Sequence, residues 1–317
     1  MTRLHHLALA VLALISAAAV TACGSSGSSK SSSTPKSASS GSLPGKNKPA
    51  VTIGDKNFTE EFILGDLYAL ALRAQGYTVN LKPNIGSTEL AYTALQSGQI
   101  SLYPEYTGVI VTVIARRPSL PGSAQATYQE AKTYLSNNGL ALLDATPFSD
   151  RDTLNVTSTF AQQHHLATIA DLKPMGANIT YGAPPELQNR REGLLGLREV
   201  YGLTQLKYTP LNHGLILPAL DAAKIQVGDV LSTDGNLLGH KYVTLKDTKN
   251  LFGFQNVAPI IDAKVLRREG PAFAHTLNAV SAKLTTNVMQ QLNAAVDIDK
   301  VDPQTVATKF LHANGLG

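Results

Sequence analysis

From Val51 onward the chain repeats one pattern, a short apolar run closed by a turn residue and followed by a capped amphipathic stretch. Val51-Thr52-Ile53-Gly54 reads as a buried strand. Thr59-Glu60-Glu61 then opens a helix, with a hydroxyl and two acids at the positive end of its dipole and Gly76 as its stop. Thr78 to Leu81 is the next strand, Gly86-Ser87-Thr88-Glu89 starts a helix that ends near Gly98, and Ile100 to Tyr103 is a third strand. A helix near 124–137, strands near 140–144 and 153–157 and helices over 158–172 follow. The alternation then restarts with strand 178–182, helix 190–201, strand 205–209, helix 213–223 and strand 226–231. From about 262 to 314 the tail reads as helical, its last helix opened by Asp302-Pro303. This rhythm predicts an α/β chain with about two sheets, mixed and mostly parallel, flanked by helices. In open sheets of this kind ligands bind beyond the carboxyl ends of the strands.

The first 48 residues do not belong to that pattern. Arg3, His5 and His6 precede an apolar run from Leu7 to Val20, which is shorter than the roughly 20 residues of a membrane-spanning helix. A basic start, a short apolar core and small residues make residues 1–22 a secretory signal peptide. Val20-Thr21-Ala22-Cys23 resembles a bacterial lipobox, which would make Cys23 a lipid-attachment site and the mature N-terminus. The alternative is a cysteine that merely lies near an ordinary cleavage site. Residues 23–48 are rich in Ser and Gly and read as a flexible tether of roughly 25–30 Å. A chain so anchored sits on the outer face of the cytoplasmic membrane, held stably by two or three acyl chains where one would not suffice.

Charge places the basic residues in the leader as well. The 27 basic and 23 acidic side chains give +4 in all, but Arg3, Lys30, Lys36, Lys46 and Lys48 precede the first acid, Asp55. The remainder is therefore nearly neutral, and no nucleic-acid partner is expected. One cysteine excludes a disulfide framework and multi-cysteine metal sites. No P-loop, G-x-G-x-x-G, H-E-x-x-H or G-x-S-x-G signature occurs, and His164-His165 is a poor chelate because adjacent helical residues diverge by about 100°. No metal, cofactor or catalytic residue is expected, and the chain reads as a binding protein, not an enzyme. A secreted hydrolase stays open as an alternative that would need a nucleophile–base pair, and a sensing or adhesive surface protein as another.

Three groups suited to ligand capture follow strands directly. They are Lys56-Asn57-Phe58 at a helix start, Ser87-Thr88 at another, and Tyr106 after the third strand. Taken with their surroundings, IGDKNFTEEFILGDLYALAL and IGSTELAYTALQSGQISLYPEYTG resemble the substrate-binding lipoproteins of osmoprotectant (glycine betaine, choline, proline betaine) ABC importers. The resemblance runs from about Val51 to Gly315. It includes Gly182-Ala183-Pro184-Pro185-Glu186, Arg190, Gly193 and Ser232-Thr233-Asp234-Gly235, and is nearest to an actinobacterial branch.

The resemblance implies a two-lobed periplasmic-binding-protein-like fold of type II. Lobe one is expected over 49–149 plus 251–317 and lobe two over 150–250, with two crossing segments as the hinge. It implies a monomer that captures a small molecule between the lobes and delivers it to an ABC permease and its ATPase. Carried over one residue at a time, Lys56 and Arg190 correspond to the pair that meets a ligand carboxylate from opposite lobes, and Tyr106 to one ring of an aromatic cage for a quaternary ammonium. The other three cage positions fall on Asp152, Leu231 and Gln255. The expected ligand-binding set is Lys56, Asn57, Phe58, Ser87, Thr88, Tyr106, Asp152, Arg190, Thr233 and Gln255. One ring of four suggests either a betaine held by fewer rings or a more polar, hydrogen-bonding ligand.

Overall fold

A computed structural model describes residues 42–317; the leader, Cys23 and the tether as far as residue 41 lie outside the described residues. The first sheet holds β1 (Val51–Gly54), β2 (Val79–Lys82), β3 (Leu102–Tyr106), β4 (Leu140–Leu142) and β10 (Val257–Asp262), in the order β2-β1-β3-β10-β4. The second holds β5 (Asp152–Thr157), β6 (Thr180–Ala183), β7 (Lys207–Pro210), β8 (Val227–Leu231) and β9 (Tyr242–Thr244), in the order β7-β6-β8-β5-β9. The same arrangement is thus built twice. Three strands lie parallel, and the fourth runs against both its neighbours. In each sheet that reversed strand, β10 or β5, is the one that has just crossed from the other half. The two crossings are tied together by the pairing of Ser149 with Asn256.

Helices cover both faces of each sheet. In the first half these are α1 (Thr59–Ala74), α2 (Thr88–Gln96), the short α3 (Thr107–Val109) and α4 (Ala124–Asn137). The second half carries α5 (Ser158–His164), α6 (Leu194–Val200) and α7 (His213–Asp221), and the tail adds α8 (Ala263–Glu269), α9 (Pro271–Ser281), α10 (Thr286–Asp297) and α11 (Pro303–Ala313). Ile63, Leu64, Leu67, Tyr68, Ala71 and Leu72 recur at helical spacing along α1, and all are buried against the sheet and the tail helices. Each such Leu or Ile contributes about 1.5–3 kcal/mol by leaving water. Because α1 is clamped on both sides, the Lys56-Asn57-Phe58 turn that precedes it is fixed in space.

Several expected boundaries shift for physical reasons. The tether ends earlier than residue 48: Gly45 is buried, donates its N–H to the Gln75 carbonyl at 2.9 Å, and lies so close to Tyr77 that a Cβ would come within 2.2 Å of its backbone nitrogen. The helix expected over 158–172 stops at His164, because His165 adopts φ 53°; a 3₁₀ stretch resumes at Ile169 behind a Thr168/Asp171 capping box. The helix expected from 190 starts at Leu194, since Gly193 is pressed onto the Leu187 carbonyl. Among the described residues, no helix is long and apolar enough to cross a membrane.

Asp55, at the end of β1, makes folding pH-dependent. It is buried, its Oδ1 accepts the Asn84 N–H at 2.6 Å, and its Oδ2 has no partner. Burial, partly offset by that bond, pushes its pKa up to about 7 from an ordinary value near 3.8. A carboxyl raised in the folded state opposes folding increasingly as pH climbs from about 4 through about 7, and not below that window. Asp55→Asn is therefore expected to flatten the fall in melting temperature between pH 5 and pH 8. An unchanged pH profile of the melting temperature would remove Asp55 as its source.

Candidate functional site

The carboxyl ends of the strands in both sheets face one another across a cavity of about 440 Å³. β5 and β10 run against their neighbours, so the residues at their starts, Asp152 and the preceding Gln255, reach the same edge. From the first half the cavity receives Lys56, Asn57, Phe58, Ser87, Thr88 and Tyr106. From the second half come Asp152, Glu186, Arg190, His213 and Leu231, with Asp150 and Gln255 on the crossings. Nine of the ten sequence-expected side chains thus line one cavity.

Thr233 departs from that expectation. It is fully buried in the seam between the halves, donates its hydroxyl to Glu60 Oε2 at 2.5 Å and accepts at its carbonyl from Asn293 Nδ2 at 2.9 Å. It borders a second cavity of about 430 Å³ that shares Phe58, Thr59, His213 and Leu231 with the first as a common wall.

Lys56 is held where a ligand would meet it. Only 4% exposed, its ammonium forms an ion pair with Glu105, lies 3.6 Å from Glu61 Oε1 and stands 4.3 Å from the centre of the Tyr106 ring. Burial lowers its pKa, but the Glu105 and Glu61 carboxyls outweigh that and raise it overall. The Glu61 carboxyl is itself pushed up to about 8, chiefly by burial. Of the two acids, Glu105 is the closer to the ammonium. The expected lysine end of a carboxylate clamp is therefore already occupied by protein acids.

Arg190 is also paired. Its Nη2 reaches Glu89 Oε1 at 3.0 Å, joining the second half to α2 of the first, and Glu89 in turn accepts from the Ser87 hydroxyl at 2.6 Å. Gln255 has a structural duty as well: its Oε1 accepts the Val109 N–H at 3.0 Å, and a Cβ on Gly108 would fall 2.6 Å from that oxygen. Tyr106 donates to Glu60 Oε1 at 2.8 Å and stacks on Phe58 at 6.2 Å, and Phe58 meets His213 at 5.9 Å. Burial lowers the His213 pKa, so its ring is neutral at pH 7. The Phe58 ring lies between those of Tyr106 and His213, so the three form a row that runs from the first half to the second. His213 is absent from the sequence-expected set, although it opens a helix directly after a strand as Lys56 and Ser87 nearly do.

Asp152 enters the cavity from the second half. Burial, only partly countered by Asp229 and Arg190, pushes its pKa up to about 6. Asp150 is pushed well above the carboxylate range by burial and by the nearby Glu60 charge. Among the described residues no cluster of three metal-ligating side chains occurs.

Comparison with known proteins agrees with this architecture. Residues 49–313 match the family described as the substrate-binding domain of an ABC-type glycine betaine transport system. A glycine-betaine-binding protein of Pseudomonas aeruginosa is 33% identical over 275 residues, covering 83% of this chain and 88% of that protein. The glycine betaine-binding protein YehZ of Escherichia coli is 29% identical, with 86% and 93% covered. A solved structure of a glycine betaine/carnitine/choline ABC transporter protein superposes with a TM-score of 0.71 at 24% identity, over 84% of this chain and 99% of that one, and shares the two-lobed fold. The first two of these are named as glycine betaine-binding proteins and the third as an ABC transporter. The chain belongs to the family of substrate-binding domains of ABC-type glycine betaine transport systems.

Proposed function

We propose that this chain captures an osmoprotectant-type small molecule in the cavity between its lobes, closes over it, and delivers it to a membrane permease driven by an ATPase. In this reading lipidated Cys23 anchors a monomer to the outer face of the cytoplasmic membrane. The observation that carries the proposal is a cavity walled by strand ends of both lobes, which only a closed protein completes. Its volume falls in the range of about 300–1,000 Å³ typical of small-molecule sites. Mass spectrometry of the molecule retained by the purified protein tests it; a small zwitterion or cation is the expected result. A covalently processed substrate would instead favour the secreted hydrolase.

Arg190 separates a ligand clamp from a lobe latch by magnitude. As a partly exposed pair, Arg190 and Glu89 contribute about 0–1 kcal/mol to closure. A ligand carboxylate held by Arg190 would contribute about 1.5–3 kcal/mol as charge-assisted bonds. Arg190→Ala is therefore expected to weaken binding of the retained molecule by about 10–100-fold, and Glu89→Ala by no more than about fivefold. Equal losses in both variants, measured by calorimetry, would reduce Arg190 to a latch.

A second reading, a ligand more polar than glycine betaine, draws on the walls themselves. Asp152, Leu231 and Gln255 stand where the family resemblance places three rings, and Lys56 already occupies the cation-binding region of Tyr106. A methylated ammonium needs ring faces, each contributing about 0.5–2 kcal/mol.

A further inference from the structure

We propose that Asp152 and Asp229 form one carboxyl pair that selects a cationic ligand bearing N–H groups and disfavours a fully methylated ammonium. The inference rests on the substrate-capturing reading and names the ligand class of the same cavity. Its basis is register. In the antiparallel pair β5–β8, Asp152 lies opposite Leu231 and Leu154 opposite Asp229. Residues directly opposite and two apart share a face, so Asp152 and Asp229 are diagonal neighbours within side-chain reach. Asp152 lines the cavity, while Asp229 stands behind it, 1% exposed.

Asp229 Oδ2 accepts the Tyr181 hydroxyl at 2.7 Å, and its Oδ1 finds no donor among the described residues. Across the register, the Asp152 carboxyl is its diagonal neighbour on the same face of the β5–β8 pair. Two neighbouring carboxyls on one buried face resist ionising together, so the proposed pair shares one proton. Burial and the Asp152 charge push the Asp229 pKa well up, which favours Asp229 as the holder.

The surroundings agree. Asp150 on the crossing, Tyr181 on β6 and Tyr208 on β7 face the pair. From the segment before α6, Glu186 and Glu192 add negative charge and Arg190, already paired with Glu89, adds a positive one, while Lys56 lines the same cavity in its ion pair with Glu105. An N–H cation at Asp152 would donate charge-assisted bonds to that carboxylate. A quaternary ammonium has no proton to give and no ring from Leu231 or Gln255 to replace it. Such a cation favours the deprotonated pair, so its arrival expels the shared proton to solvent. Affinity should therefore rise with pH through the pair's titration, by at most tenfold per pH unit for one proton.

N-methylated glycines test this, because they share one carboxylate and differ in N–H count. Dimethylglycine and glycine betaine are titrated calorimetrically into the full chain at pH 5.5, 6.5 and 7.5, in two buffers of different ionisation enthalpy. Dimethylglycine is expected to bind at least about tenfold tighter, with an affinity that climbs with pH and a buffer-dependent heat of proton release. Asp152→Asn should abolish that preference. Asp229→Asn, which acts only through Asp152, should keep dimethylglycine binding but flatten its pH dependence. Glycine betaine binding as tightly as dimethylglycine, a preference that survives Asp152→Asn, or an unaltered pH slope in Asp229→Asn overturns the inference and leaves the transport reading standing. No binding of either probe, with no small molecule retained by the purified protein, removes both.

Discussion

Lys56→Met is expected to destabilise the fold by about 3–5 kcal/mol, the cost of breaking a buried ion pair by removing one partner. For a body of this size that is a drop of about 5–10 °C in melting temperature. Glu105 is fully buried, and without the ammonium its Oε1 keeps only the Tyr106 N–H at 2.8 Å, while its Oε2 already has no partner. Methionine matches the length of the stem and contributes no charge, so the loss isolates the ammonium and not packing.

The pH dependence carries the sign. Lys56 has a raised folded pKa, so its own contribution is complete below about pH 10.5 and constant over the working range. Any variation between pH 5 and pH 8 comes from the carboxyls it leaves behind. Of these, Glu61, already pushed up by burial and losing the Lys56 charge that lowers it, takes up a proton on acidification, so the deficit should shrink toward pH 5. Urea unfolding of both proteins at the two pH values checks this, and a deficit below about 1 kcal/mol at pH 8 would mean that Lys56 is not the counter-charge of Glu105. The same result bears on function. A lysine whose removal costs this much is committed to the fold, and Arg190 is then the cation of the cleft with most freedom to meet a ligand carboxylate.

The repeated strand–helix rhythm made both halves legible, because glycine stops such as Gly76 and polar helix starts such as Thr59-Glu60-Glu61 and Ser87-Thr88 are local signals that packing did not override, although Phe58 and not Thr59 is the N-cap of α1 and neither hydroxyl makes a capping bond. β10 was not legible as a strand. Its run carries Pro259, which ordinarily marks an edge, yet it lies centrally with Pro259 directly opposite Pro104 of β3, so two residues unable to donate share one rung. That pairing is set by residues about 150 positions apart and leaves no local trace. The site divides in the same way. Lys56, Ser87, Thr88 and Tyr106, singled out by strand-end position, line the cavity. Strand-end position could not reveal that Glu105 and Glu61 already hold Lys56, nor that Asp229 stands behind Asp152, since both depend on which side chains the sheets bring together. Thr233 lies in the seam beside the second cavity, and a hydroxyl in a strand-end turn reads alike whether it faces a ligand or the opposite lobe.

In the seam where Thr233 lies, Thr233→Val is expected to open the lobes without weakening either. Glu60 accepts three bonds: the Tyr106 hydroxyl at Oε1, and at Oε2 the Thr233 hydroxyl and, at 3.1 Å, Asn293 Nδ2. Of these donors, Thr233 alone comes from the second lobe. The seam is reinforced by Gln290 Nε2 donating to the Ser232 carbonyl at 3.0 Å, and by Gly235, where a Cβ would fall 2.5 Å from the Ala294 backbone. Valine keeps the shape of threonine but sets a methyl group against a buried carboxyl, a cost of about 1–3 kcal/mol that falls only on the closed form. The closed-to-open ratio should drop by about 5–150-fold, and ligand affinity with it. Glu60→Ala removes the acceptor from all three donors, two of them within the first lobe, so it should lower both closure and melting temperature. Small-angle scattering reads closure as the radius of gyration, and thermal unfolding reads the fold. An expanded Thr233→Val with an unchanged melting temperature, beside an expanded Glu60→Ala with a lowered one, places Thr233 in the closing seam. A compact Thr233→Val would show that the Gln290 and Gly235 contacts close the lobes without it.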